Sequence, residues 1–421
     1  MKIIILAAGQ GKRMWPVQTD KCLIPFLGKP LLYHNLKKIQ AALNPSEVII
    51  VTNPNIKDQI SKIKDELGIF GTIIIQVEPK GMADAILSAK DLIDGEILIL
   101  NAEDILGPSI FKTDFKGDVV LTGLKVDKYF PGGYIKATGN PSTTLRTGRV
   151  QAIVEKPGEG NEPSDLVKLV ADYFKDGKKL VEYLEKVTGD TDDLYEKALD
   201  KMIVDGMDVK FTKYSGVWIP LKYPWQILAI AAYFLDNIDQ KIYPGKVMME
   251  EGVKVFEGAV IKGPCYIGRN CIIGNNSMVR ESNLEEGVVT GFSSDITRSY
   301  IGPNSWFHTN YVGDSVIEGD FGMGSGAVLA NLRLDDHTIR VGEVDSGRFK
   351  MGLMVGKGSR VGVNASIMPG VRVGANSLVG PGVVLHEDIK DNTKILVKQE
   401  YTISDHTPSL TSYDQFRHKI K

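Results

Sequence analysis

Three cysteines in 421 residues, Cys22, Cys265 and Cys271, are too few for a disulfide framework and lack metal-ligand spacing. An excess of one charge is missing too: 50 Lys and Arg against 52 Asp and Glu leave a formal charge of −2. No broad field draws nucleic acid or an anionic membrane, so phosphate binding has to be local, from a few basic groups in a cleft. Long apolar runs are absent and no leader is read, since the chain enters a strand at Lys2; a reduced cytoplasm is the expected location. Histidine is scarce: His34, His308, His337, His386, His406 and His418 are all there are.

What is present begins at the amino end. The apolar run Lys2-Ile3-Ile4-Ile5-Leu6 breaks into Ala7-Ala8-Gly9-Gln10-Gly11-Lys12-Arg13-Met14, and Lys21 and Pro25 follow. A buried strand that ends in small residues lets backbone N–H groups approach an anion, with Arg13 and Lys21 supplying fixed positive charge.

The chain has two rhythms. Up to about residue 235, strands at Lys2–Leu6, Val48–Thr52, Thr72–Gln76, Ile97–Asn101, Val119–Val126 and Val150–Val154 alternate with helices such as Leu31–Ala42 and Ile56–Leu67. Aliphatic strands flanked by helices predict a mostly parallel sheet covered on both faces, with ligands beyond the carboxyl ends of its strands. Tyr173–Val204 reads as a polar helical insertion and Trp225–Asn237 as the last helix. After residue 240 the period becomes six: Val255, Ile261, Ile267, Ile273 and Val279, with the small set Ala259, Cys265, Cys271 and Ser277. The beat returns at Val355, Val361, Ile367, Val373 and Val379. One aliphatic and one small inward position per six residues predicts a three-sided parallel β-helix, with both cysteines filling its core. The expected divisions are 1–238, 239–400 and a tail at 401–421 that has lost the repeat.

The string from Leu6 through Lys21 to Gly28-Lys29-Pro30 resembles the signature of the sugar-1-phosphate nucleotidyltransferases, L-A-A-G-x-G-T-R-M followed by a Lys and a K-P pair. That resemblance implies a Rossmann-like α/β domain in which Leu6, Ala7, Ala8, Gly9 and Gly11 hold a nucleoside triphosphate, UTP or dTTP. Gln76 and Gly81 match its base-contacting segment, and Glu155-Lys156-Pro157 its sugar-contacting one, with Gly133 beside them. Arg13 is then expected on the triphosphate tail and Lys21 on the α-phosphate or sugar phosphate, with Mg²⁺ at Glu103 or Asp104.

In the second half, Trp306-Phe307-His308-Thr309-Asn310-Tyr311-Val312-Gly313-Asp314-Ser315, Gly324-Ser325-Gly326 and Ala330-Asn331 resemble segments of the bifunctional glucosamine-1-phosphate acetyltransferase/N-acetylglucosamine-1-phosphate uridylyltransferases. Ser346-Gly347-Arg348 and Met368-Pro369-Gly370-Val371 extend the likeness. It implies a left-handed β-helix, a homotrimer and acetyl-CoA as co-substrate, with contacts near Asn364 and Gly380. Freeing a sugar amine to attack a thioester needs a base that works near pH 7, which suits a neutral imidazole. His308 is the candidate, with Arg280 on the sugar phosphate and Tyr311 and Asn331 on the sugar.

The chain also departs from these patterns. Lys12 and Met82 stand where a threonine is usual, and Pro220 where a second metal-binding Asp is usual. Lys168-Leu169-Val170 replaces N-A-G, Thr297 beside Arg298 replaces a lysine, and Gly322 replaces an asparagine. Three readings stay open: a bifunctional nucleotidyltransferase/acetyltransferase, an acetyltransferase carrying a degenerate nucleotide-binding domain, and a non-catalytic assembly subunit.

Overall fold

Strand β1 (Lys2–Ala7) lies in a nine-stranded sheet with β2 (Glu47–Thr52), β3 (Gly71–Ile75), β4 (Ile97–Asn101), β5 (Val119–Lys125), β6 (Gly133–Ala137), β7 (Thr147–Glu155), β8 (Leu166–Phe174) and β9 (Val209–Tyr214). The order is β3-β2-β1-β4-β8-β5-β9-β7-β6. The structure is a computed structural model that describes residues 1–113, 115–137, 147–189, 191, 193–407 and 413–420. Parallel pairing of β1 with β2 and β4, and of β2 with β3, forms the half that carries the glycine turn. Ile3, Ile4, Ile49, Ile50, Ile97 and Ile99 are fully buried because helices cover both faces. Helices α1 (Leu31–Leu43) and α2 (Lys57–Glu66) pack on one face, α3 (Met82–Ser88) on the other.

One expectation is corrected. Tyr173 and Phe174 do not begin a helical insertion; they end strand β8, which runs antiparallel to β4 and β5. The helical hairpin starts only at α4 (Gly177–Glu185) and continues in α5 (Leu194–Val204). Gly177 fits there because any side chain would press on Ile93 and Ile97. The hairpin is amphipathic, burying Leu180, Leu184, Tyr195, Leu199 and Met202 against the sheet. The following helix, α6 (Gln226–Asp236), matches the last one expected.

From Val247 on, short parallel strands build three sheet faces. The first stacks Cys265–Ile267, Asn283–Leu284, Tyr300–Ile301, Val316–Ile317, Met354–Val355 and Arg372–Val373. The third stacks Met278–Arg280, Asp295–Thr297, Tyr311–Gly313, Val328–Leu329, Ser366–Ile367 and Val384–Leu385. The second includes Ile272–Ile273, Gly322–Met323, Arg360–Val361 and Leu378–Val379. Ile267, Ile273, Val279, Val355, Val361 and Val373 point inward as the period predicts, and Cys265 and Cys271 are fully buried core residues. Inward serines also bond between coils: Ser299 N donates to Ser282 Oγ, and Ser315 N to Ser299 Oγ, at 3.1 Å each. A small residue is needed there because a hydroxyl must reach backbone of the next turn.

The sheet domain and the β-helix share one apolar cluster. Met14, Ile24, Phe26, Trp225 and Ile227 pack with Tyr300, Val316, Met351 and Met354, joined by Ile339 and Val341 from the hairpin Arg340–Val341/Val344–Asp345. In the tail, Tyr401 and Ile403 are exposed, so these residues do not fold back on their own β-helix; residues 408–412 and 421 lie outside the described residues.

Candidate active sites

A cleft of about 430 Å³ opens beyond the carboxyl ends of β1 and β4. Leu6, Ala8, Gly9, Gly11, Lys12, Arg13, Lys21, Gln76, Gly81, Met82, Glu103 and Lys222 line it. The sequence motifs therefore converge as expected, except that Ala7 turns into the core beneath. Gly11 adopts φ +61°, a left-handed turn that favours glycine, and brings the chain round so that Lys21 lies against it. The Arg13 guanidinium sits 5.6 Å from the Tyr223 ring centre, and Tyr223 stacks on Trp225 at 4.5 Å. Gln76 is buried, and its Nε2 donates to Gly81 O at 3.3 Å and to Asp84 Oδ2 at 2.6 Å.

The two carboxylates after β4 part company. Glu103 lines the cleft and is ion-paired with Lys21. Asp104 accepts from Trp218 Nε1 at 3.2 Å and from Asn101 Nδ2 at 3.4 Å, and burial raises its pKa. Mg²⁺ requires an octahedral oxygen shell, commonly one or two carboxylates plus substrate phosphates. The cleft offers one carboxylate, already paired, and Pro220 has no donor to add. Among the described residues no three His, Cys, Asp or Glu side chains come together to hold a metal. This donor set does not fit a resident metal ion. Positive charge comes from side chains instead: Lys12, Arg13, Lys21 and Lys222 face one carboxylate. Lys222 Nζ donates to Pro131 O at 3.3 Å and lies 3.9 Å from the Phe130 ring centre. That burial pushes its pKa down to about 8, with Asp104 the largest opposing influence.

Gly133 and Glu155 are direct partners across the β6–β7 pair. A side chain at Gly133 would press on the Glu155 carboxylate, so the glycine keeps that carboxylate open. Lys156, at φ +44°, is ion-paired with Glu155 at 3.3 Å. Lys168 takes no such exposed place: it is buried, 2.6 Å from Asp172, which also accepts from Tyr195 Oη at 2.8 Å.

On the β-helix, His308 is exposed in a groove of about 380 Å³ with Trp306, Gly322 and Arg360. The residue missed by sequence reasoning is Arg360. Its side chain, from the next coil, lies where a side chain at position 322 would go. The only signal was the glycine itself. Arg280, Tyr311 and Asn331 lie further along the third face. Arg280 Nη2 bonds Asp295 at 2.9 and 3.1 Å, while its buried Nε has no partner. The Tyr311 hydroxyl and Asn331 amide close over the bare face of Gly313. Asp314 accepts from Asn331 and, through both oxygens, from Arg298 at 2.8 Å each. Asn364 takes a left-handed corner and packs its amide against Gly326; Gly380 packs under Leu396.

Residues 2–219 match the nucleotidyl transferase family, and residues 246–281 and 353–387 match the bacterial transferase hexapeptide (six repeats). The chain is 30% identical over 414 residues to a bifunctional sugar-1-phosphate nucleotidylyltransferase/acetyltransferase of Sulfurisphaera tokodaii, covering 92% of this chain and 98% of that one. It is 31% identical to the bifunctional protein GlmU of Methanocaldococcus jannaschii, covering 95% and 98%, and 30% identical to that of Methanococcus vannielii, covering 96% and 99%. Among the described residues no helix is long and apolar enough to cross a membrane. The chain belongs to the nucleotidyl transferase family and carries, behind that domain, the hexapeptide repeats of a β-helical transferase.

Proposed function

We propose that the protein acetylates a hexosamine 1-phosphate on its β-helix and transfers a uridylyl or thymidylyl group to a sugar 1-phosphate in its amino-terminal cleft. The observation that carries this is the convergence of Gly9, Gly11, Arg13, Lys21, Gln76 and Gly81 on one cleft, with a histidine-bearing groove on the same chain.

In nucleotidyl transfer, a phosphate oxygen of the sugar 1-phosphate attacks the α-phosphorus and pyrophosphate leaves, so catalysis is positioning and charge neutralisation. The glycine turn and Arg13 hold the triphosphate, Lys21 the α-phosphate, and Glu155, Lys156 and Gly133 the sugar. Lys222 supplies charge on the side where Pro220 offers no metal ligand. Glu103, not Asp104, is the carboxylate that would meet a Mg²⁺ brought in with the triphosphate. With Nε2 committed to Gly81 and Asp84, Gln76 keeps Oε1 to accept from the ring N–H that uracil and thymine carry and cytosine lacks.

In acetyl transfer, His308 takes a proton from the sugar ammonium, the freed amine attacks the acetyl-CoA carbonyl, the C–S bond breaks, and the second amine proton passes to the departing CoA thiolate, leaving the neutral amide and CoA thiol. Arg280, whose Nη2 is paired with Asp295, binds the sugar phosphate beside Tyr311 and Asn331; Asn364 and Gly380 lie on the coils proposed to hold acetyl-CoA. Val260, Met278, Val328 and Val384 are exposed on the third face, in one ladder with Asp295, Tyr311 and Ser366, and this mixed face is the one a trimer would cover. The test is to supply glucosamine 1-phosphate and acetyl-CoA, then separately a sugar 1-phosphate and UTP or dTTP. CoA release in the first and pyrophosphate release in the second are expected; CoA alone leaves an acetyltransferase with a binding domain.

A further inference from the structure

Arg13 and Lys21 sit at the two ends of one irregular segment, between the short turns Lys12–Met14 and Lys21–Leu23. Glu103 pairs with Lys21 and the Tyr223 ring lies beside Arg13; the stretch between the two cations is in addition tied down by two carboxylates of the β-helix. Glu318 Oε1 accepts from Gln18 N at 2.8 Å, Thr19 N at 2.7 Å and Thr19 Oγ1 at 2.8 Å. Its other oxygen accepts from Lys357 N, in the next coil, at 2.9 Å. Asp391 repeats the pattern: Oδ1 accepts from Trp15 Nε1 at 3.0 Å and from Ala375 N at 2.9 Å, and Oδ2 from Gln18 Nε2 at 3.0 Å. Each carboxylate thus bonds once to the β-helix backbone and more than once to the segment, Glu318 three times and Asp391 twice.

We propose that Glu318 is a positioning residue for nucleotidyl transfer: a carboxylate of the β-helix that fixes the segment joining Arg13 to Lys21. The inference rests on the nucleotidyl-transfer reading above. Hydrogen bonds to an ionised acceptor are short and directional, and Glu318 is largely buried, so solvent does not replace it. Gln18 and Thr19 offer successive N–H groups to one oxygen, an arrangement that only an acceptor can fill. Docking of the two halves does not depend on Glu318, because Phe26, Trp225, Tyr300, Val316 and Met354 pack across the boundary. Its removal therefore loosens the segment and leaves the halves together. Displacing a phosphate-binding cation by about 1 Å costs on the order of a hundredfold in rate.

The experiment compares full-length wild type, Glu318→Ala and Glu318→Gln. It follows pyrophosphate release against UTP or dTTP concentration, CoA release, thermal midpoint and hydrogen exchange over Met14–Lys21. Glu318→Ala is expected to lower kcat/KM for the nucleotide roughly ten- to a hundredfold, to speed exchange over Met14–Lys21, and to keep CoA release within about twofold. Glu318→Gln keeps an oxygen for Gln18 and Thr19 but turns an N–H toward Lys357 N, and is expected to recover part of the loss. Wild-type nucleotide kinetics in Glu318→Ala overturn the proposal, as does a parallel fall of both activities with a lower midpoint, which marks a purely structural role. A wild type that releases no pyrophosphate from any nucleotide, while binding it or not, overturns the nucleotidyl-transfer reading and this one with it.

Discussion

Lys21 and Glu103 form an ion pair in the cleft, each side chain about one-sixth exposed. The pair holds the lysine over the carboxyl ends of β1 and β4, where the proposed reaction places the phosphate. Lys21→Met removes a cation from charge that develops in the transition state and is expected to cost about 10²–10³ in kcat for pyrophosphate release. CoA release, on the other half of the chain, is expected to stay at the wild-type rate. Steady-state kinetics of both products check it; unchanged pyrophosphate release removes Lys21 from the reaction.

Lys222 is cationic below about pH 8 and loses its charge as pH rises through that value, because burial has lowered its pKa. If this cleft cation neutralises the bound nucleotide as proposed, its charge is withdrawn on the alkaline side, and kcat/KM for the nucleotide is expected to fall above about pH 8. The profile of kcat/KM reports the free enzyme, where this pKa applies. Lys222→Arg keeps its charge at every accessible pH and is expected to flatten that limb. A limb that persists unchanged in Lys222→Arg assigns the titration elsewhere.

His308→Ala removes the proposed base from its groove and is expected to lower CoA release by about 10²–10⁴. Asn310 supports the backbone there, accepting from His308 N at 2.8 Å, so the coil itself is held independently of the imidazole. A His308→Ala protein with full CoA release would sink that role.

Lys168 and Asp172 are a buried pair at 2.6 Å, and Tyr195 donates to the same carboxylate at 2.8 Å. Lys168→Met leaves a buried carboxylate without its cation, which is expected to cost about 3–5 kcal/mol. Lys168→Met with Asp172→Leu removes both charges and is expected to recover much of that loss. Urea unfolding of the three proteins decides between a structural pair and a spectator.

The glycine turn with Arg13 and Lys21, and the six-residue period, were legible because each is local: neighbours in sequence are neighbours in space. The strand Leu166–Phe174 was not, because Lys168 and Asp172 interrupt its apolar run; their pairing inside the protein explains why both charges sit in a buried strand. The hexapeptide match stops at residue 281 and resumes at 353, the stretch that contains the hairpin Arg340–Val341/Val344–Asp345. Contacts that cross the chain were beyond sequence reading altogether. Gln18 and Glu318 are 300 positions apart, and no spacing rule links them. The choice between Glu103 and Asp104 likewise needed the position of Trp218, which takes Asp104 out of the cleft.

The most direct measurement gives one purified preparation glucosamine 1-phosphate, acetyl-CoA and either UTP or dTTP, and follows free CoA, pyrophosphate and the nucleotide sugar by mass. The account predicts both small products and a nucleotide-linked N-acetylated sugar, with His308→Ala stopping CoA release and Lys21→Met stopping pyrophosphate release. Absence of both products from the wild-type protein, across all sugar phosphates offered, contradicts it.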